Sequence, residues 1–116
     1  SGGKKYGDVD YIEAMMLTTQ IQKESSLLAG SIQSGLDRQV NEFKSRGVKK
    51  ADFFVLRGAL MPAVLVEVGY LTNTREAGYL KKGTYQNRLA RGIGNGIIDF
   101  LKKYNRMIRT NQADMK

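Results

Sequence analysis

Residues 62–70 read PAVLVEVGY, a near-continuous apolar run interrupted by one carboxylate, Glu67. A carboxylate buried without compensation is costly, so it normally takes a partner, a proton or a ligand. The run itself has the signature of a strand covered on both faces in a parallel or mixed sheet. Glu67 lies near its C-terminal end, the edge where ligands sit in open α/β sheets. Position alone leaves two readings open. Glu67 is a general acid or base tuned by apolar neighbours, or it is half of a structural ion pair, for instance with Arg57.

Working outward, ADFFVLRG (51–58) is short, aromatic and β-branched and ends in glycine, the pattern of a second strand. Only Ala59, Leu60 and Met61 separate the two runs. That is too short for a parallel crossover, so adjacent strands here pair antiparallel, or other strands lie between them. Upstream, Asp10 and Glu13 have the spacing of a capping box, and Leu17, Ile21, Leu28, Ile32, Leu36, Val40 and Phe43 mark one buried helix face. Thr18-Thr19, Ser25-Ser26, Gly30 and Gly35 weaken that helix and place a break near residues 18–26, and Gly47 fits a C-cap. Downstream, Asn73 caps TREAGYLKK with Glu76 completing a second capping box. Thr84 opens a final helix striped by Leu89, Ile93, Ile97, Phe100 or Leu101, and Tyr104. Gly92, Gly94 and Gly96 weaken it while permitting close approach to a sheet. RTNQADMK reads as a frayed tail. The order helix, strand, strand, helix, helix places the chain in the α/β class. Two strands make a poor sheet alone, so the chain reads as part of a domain.

Composition narrows the chemistry. A length of 116 residues allows one domain or part of one. The net charge of +8 favours anionic partners such as nucleic acid, anionic envelope polymers or a membrane surface. The cations form no single run, however, and solubility accounts for them equally well. No apolar run approaches the roughly 18 residues of a membrane span, so no transmembrane segment is expected. No basic-then-apolar leader opens the chain, and Ser1-Gly2-Gly3 reads as a scar or cut loop. Cysteine is absent, which excludes disulfide and thiolate chemistry. Histidine is absent too, removing the commonest acid–base group and the commonest metal ligand. No phosphate loop, serine-nucleophile motif or metal-spaced cluster occurs. SRGVKKADFFVLR interleaves bases and aromatics as nucleic-acid binders do, but its aromatics fit a strand core better, and no nucleic-acid partner is expected. Arg57 suits a clamp for a substrate carboxylate. Tyr70 and Thr72, in the turn YLTN, lie beside any site at Glu67.

The stretch RGVKKADFFVLRGALMPAVLVEVGYLTNTREAGYL (46–80) resembles the C-terminal half of the zinc-dependent N-acetylmuramoyl-L-alanine amidases of bacterial cell walls, the amidase_3 type. YIEAMMLTTQIQKESSLLAGSIQSGL (11–36) is similar to the helical region before that motif, and YQNRLARGIGNGIIDFL (85–101) to the closing helix, so the likeness runs over about 11–104. It implies a single α/β domain with a mixed sheet flanked by helices. The implied organisation is a scar or loop over 1–10, the C-terminal portion of the catalytic domain over 11–104, and a tail over 105–116.

The implied activity is hydrolysis of the amide bond between N-acetylmuramic acid and L-alanine in peptidoglycan, in the periplasm or extracellular wall. The glutamate of the VE-G motif matches Glu67 and serves as catalytic base, taking a proton from the attacking water and passing it to the leaving nitrogen. Zinc is the implied cofactor, held by histidine and glutamate ligands from the N-terminal half. This chain lacks histidine, and Glu13 or Glu24 cannot replace imidazole. The 116 residues alone are therefore expected neither to hold catalytic zinc nor to cleave peptidoglycan. They need the missing N-terminal half as a partner. Some members carry a helix that occludes the site until an activator protein displaces it. Residues 8–24 correspond to it and carry Glu13, a possible regulatory residue, beside the plainer reading of a packing helix. The alternative to an amidase is a catalytically inactive peptidoglycan-binding or regulatory module.

Overall fold

The computed structural model describes residues 2–50 and 54–115. Three α-helices carry the fold: α1 (Gly2–Gln39), α2 (Thr74–Leu80) and α3 (Gly83–Asp114), with a 3₁₀ turn over Phe54–Leu56. Among the described residues there is no strand. The fold is helical, and the expectation of an α/β domain with a mixed sheet is corrected.

The physical reason is visible at residues 62–69. The backbone there is not helical, but it meets no second strand. It is tied instead to a helix, the Ala63 N–H donating to Ser25 Oγ at 3.0 Å. Val64 and Val66 are half-buried while Leu65 and Glu67 are exposed. That alternation of period two covers one face rather than two. Of the other expected strand, residues 51–53 lie outside the described residues, and Phe54–Leu56 makes a single 3₁₀ turn followed by a turn in which Ala59 N–H donates to Leu56 O at 3.4 Å.

Helix α1 runs unbroken through the expected break. Thr18 and Thr19 turn their hydroxyls back onto the carbonyls of Ala14 and Met15, both at 2.9 Å, satisfying the groups that would otherwise compete with the helix. Gln20–Glu24 and Gln33–Asp37 add side-chain bonds at spacing i, i+4. Asp10 and Glu13 therefore sit inside α1, and their capping box does not start it. The helix stops at Gln39, well before Gly47, which instead turns at φ +78° with its N–H on Ser45 Oγ. The segment RTNQADMK is helical through Asp114 rather than frayed. Asn73 caps α2 as its sequence indicates, its Oδ1 accepting from the N–H groups of Arg75 and Glu76 at 3.1 Å.

Helices α1 and α3 cross antiparallel, with Gly35 against Gly92 and Gly96, and Ile32 against Gly96. The close approach that the α3 glycines permit is thus to another helix, not to a sheet. Ile32, Tyr85, Leu89 and Phe100 form the buried core, extended by the ring cluster of Phe43, Tyr79 and Tyr85, whose neighbouring centroids lie 5.3–6.5 Å apart. The radius of gyration is 18.7 Å, against about 13 Å for a compact domain of this length. The long helix ends project beyond this small core, and the middle of the chain is held against α1 around an open hollow.

Candidate functional site

The hollow encloses about 1070 Å³, at the upper end of the roughly 300–1,000 Å³ of ligand clefts. Its walls are the α1 face from Leu17 to Val40, the loop 43–50, and the extended segment 63–70. Glu67, Arg57 and Tyr70 all line it. Thr72 and Glu13 do not. The structure therefore gathers three of the five residues singled out in the sequence and leaves Thr72 exposed in the turn before α2 and Glu13 exposed on α1.

Glu67 is exposed, not lodged among apolar side chains. The alternation along 64–67 turns Val64 and Val66 inward and carries its carboxylate out to water at the cavity wall. Arg57 is likewise exposed at the cavity. Lys44, Arg46, Lys49 and Lys50 also line the space, against Asp37, Glu67 and Glu76. The hollow is thus rich in cations, with one water-accessible carboxylate on its extended wall.

Among the described residues the buried acid is Glu76, at 4% exposure. Its Oε1 accepts from the Arg46 guanidinium at 2.7 Å and its Oε2 from the Tyr70 N–H at 3.1 Å. Arg46 also stacks over the Tyr70 ring, 4.2 Å from its centroid. The hydrogen bond from Arg46 holds the Glu76 carboxyl below the usual carboxylate range, against the opposing effect of burial and with help from the Tyr70 N–H; the same pair pushes Arg46 up. In the expected capping box Glu76 would reach the cap residue's own N–H. Here Asn73 N–H bonds to Tyr70 O at 3.2 Å, and Glu76 reaches three residues further back. One carboxylate so ties the end of the extended segment to the loop after α1 and to the first turn of α2. Sequence reasoning missed this role. The capping spacing marked Glu76, but nothing local in SRG marks Arg46.

A second pair braces the same region. Arg88 of α3 grips both oxygens of Glu42, Nη1 lying 2.9 Å from Oε1, and donates to Gln39 O at 3.2 Å. The hydrogen bond from Arg88 takes the Glu42 pKa down to about 2. Both acids titrate lower folded than unfolded, so their stabilisation is complete above the unfolded value near 4.5 and is lost as pH falls toward 2. Helicity at 222 nm is expected to hold above pH 5 and to fall between pH 4.5 and 2. An Arg88→Gln variant should be less stable at pH 7, and its deficit should shrink at pH 2. A deficit independent of pH would remove the ion pair from the explanation.

The donor set does not fit a zinc centre. The chain contains neither imidazole nor thiolate, and among the described residues no group of three carboxylates is placed to hold a metal ion. What the arrangement offers is a proton acceptor open to water, flanked by cations suited to an anionic ligand.

The Amidase_3 family model, described as N-acetylmuramoyl-L-alanine amidase, matches residues 4–99. The chain is 41% identical over 67% of its length to the uncharacterized protein YqiI of Bacillus subtilis, covering 37% of that protein. It is 35% identical over 73% of its length to the N-acetylmuramoyl-L-alanine amidase LytC of Bacillus subtilis, covering 17% of it. To the N-acetylmuramoyl-L-alanine amidase AmiA of Salmonella typhimurium it is 32% identical over 84% of its length, covering 35% of that enzyme. The chain thus spans about a third or less of these relatives. No solved structure matches it.

Proposed function

The chain belongs to the N-acetylmuramoyl-L-alanine amidase family, and from that premise we propose that it forms part of a bacterial cell-wall amidase in which Glu67 carries the proton. The observation behind this reading is the placement of Glu67: a carboxylate exposed on the wall of a large cavity, on an extended apolar segment fixed to α1 and α2. Glu67 takes a proton from the attacking water as the water oxygen bonds to the carbonyl carbon. It returns that proton to the alanine nitrogen as the carbon–nitrogen bond breaks. Arg57, Lys44, Lys49 and Lys50 hold the carboxylates of the stem peptide, Arg46 being engaged by Glu76, and Tyr70 borders the same wall. Residues outside this chain hold the zinc, because those within it do not fit the metal. We place the enzyme in the periplasm or cell wall. No described helix is long and apolar enough to cross a membrane.

Exchange of the homologous segment of the Bacillus subtilis amidase for residues 11–104, followed by assay of muropeptide release, tests this. Activity within about tenfold of the parent is expected, and the free 116-residue chain should release nothing. An inactive but folded chimera that still binds peptidoglycan would favour the other reading, an inactive wall-binding or regulatory module. Hydrolysis by the free chain in the presence of a chelator would refute the proposal.

A further inference from the structure

The core-facing line of α3 is buried at Tyr85, Leu89, Gly92, Gly96 and Phe100, but the next positions on that line, Lys103 and Met107, are exposed. Beyond Phe100, α3 continues to Asp114 with its residues exposed except Tyr104, which is half-buried and stacked on Phe100 with ring centroids 5.8 Å apart. At 100° per residue Leu101, Tyr104 and Ile108 fall on one stripe. Leu101 and Ile108 are exposed, and Met107 and Met115 extend the apolar surface. Lys102 and Arg109 flank one side of the stripe, Lys103 flanks the other, and Arg106 lies opposite. Lys102, Asn105, Arg106 and Arg109 line one shallow surface groove. No acidic residue occurs between Asp99 and Asp114.

An apolar stripe bordered by cations on a helix too polar to span a bilayer fits the surface of an anionic membrane. The apolar face sinks to the acyl boundary, and the lysine and arginine stems reach outward to lipid phosphates. An anionic wall polymer would engage the cations and leave Leu101 and Ile108 in water. A coiled coil with a second copy would have only two heptads, with the polar Asn111 in its seam. The start of α1 also exposes apolar residues, among them Ile12, Met15 and Met16. Asp8, Asp10 and Glu13 accompany them, the wrong charge for this partner.

We propose that residues 101–114 of α3, with Met115 at its end, form a peripheral binding helix for anionic lipid surfaces. The absence of cysteine permits a single environment-sensitive fluorophore at Ile108→Cys, or, as the comparison, at Arg106→Cys. The full chain is mixed with vesicles of phosphatidylglycerol and phosphatidylcholine, with phosphatidylcholine vesicles alone, and with polyphosphate. The expected result is a blue shift at position 108 with phosphatidylglycerol vesicles only, and little shift at 106. Co-sedimentation with those vesicles should fall at least tenfold in a Lys102→Glu/Lys103→Glu variant and in a Leu101→Ser/Ile108→Ser variant, each with an unchanged circular dichroism spectrum. Three results would overturn the proposal. One is equal binding to neutral vesicles. Another is loss of binding in the charge variant but not in the apolar one, with polyphosphate competing, which marks a polymer contact. The third is a blue shift that depends on protein concentration without lipid, which marks a second copy.

Discussion

Gly96→Ala is expected to lower stability by about 3 kcal/mol and the melting temperature by more than about 10 °C, while Gly94→Ala raises both. The two positions are two residues apart in the same helix, and alanine improves helix propensity at each by about 1 kcal/mol. They differ in what the new methyl group meets. At Gly94 nothing lies within 4 Å. At Gly96 it overlaps Ile32 Cα and approaches Ser31 O at 2.7 Å and Ile32 N at 2.8 Å. Those atoms are α1 backbone, which no rotamer change can clear. The helices have to separate, and the separation uncovers Ile32, Leu89 and Phe100, three of the four apolar side chains buried among the described residues. With so small a core, the loss is a large share of the total. Thermal melts of the two variants against the parent decide the matter. Equal melting temperatures would mean that the helices do not cross at this seam.

The second large effect concerns chemistry. In the chimeric amidase, Glu67→Gln is expected to lower kcat by about 10²–10⁴, the usual contribution of general acid–base catalysis, with KM changed by less than about threefold. Glutamine keeps the size and polarity of the side chain and removes the ability to accept a proton. Glu67 is exposed and holds no part of the core, so the melting temperature of the variant should match that of the parent. Loss of rate with an intact fold separates a proton carrier from a structural acid. A change confined to KM would instead assign Glu67 to binding.

What was legible in the sequence was what is decided locally. Asn73 caps α2 because an Oδ1 and two backbone N–H groups within three residues suffice. The expected stripe of α3 holds at Leu89 and Phe100, which are buried, but Ile97 is exposed and Gly92 and Gly96 complete the inner face. The sheet was misread because a strand covered on both faces and an extended segment lying on a helix have similar compositions. They differ in where backbone donors such as Ala63 N–H go, and that is set by Ser25, far away in the chain. The α3 glycines signalled close packing, but a glycine does not say whether a helix or a sheet approaches. The break expected in α1 overlooked the carbonyls four residues back, which the threonine hydroxyls reach. Burial was raised in the sequence only for Glu67, and the enclosure of Glu76 depends on contacts distant in the chain. Glu67 sits among apolar neighbours in sequence but turns to water, while Glu76 sits in a polar sequence and is enclosed by Arg46 and Tyr70. The site residues were gathered in part: Arg57, Glu67 and Tyr70 share the cavity because 56–70 lines it nearly throughout, and Thr72 lies past its end.

The division of labour between these two acids is open to one direct comparison: single-turnover cleavage of muramoyl-L-alanine substrate by Glu67→Gln and Glu76→Gln chimeras, at a temperature where both are folded by circular dichroism. Glu67→Gln should be slower by about 10²–10⁴ at unchanged melting temperature. Glu76→Gln should melt lower, having lost the charged partner of Arg46, yet cleave within about tenfold of the parent, since an acid that acts only through the fold leaves the chemical step nearly intact. The reverse pattern, with Glu67→Gln fast and Glu76→Gln catalytically dead while folded, would contradict it.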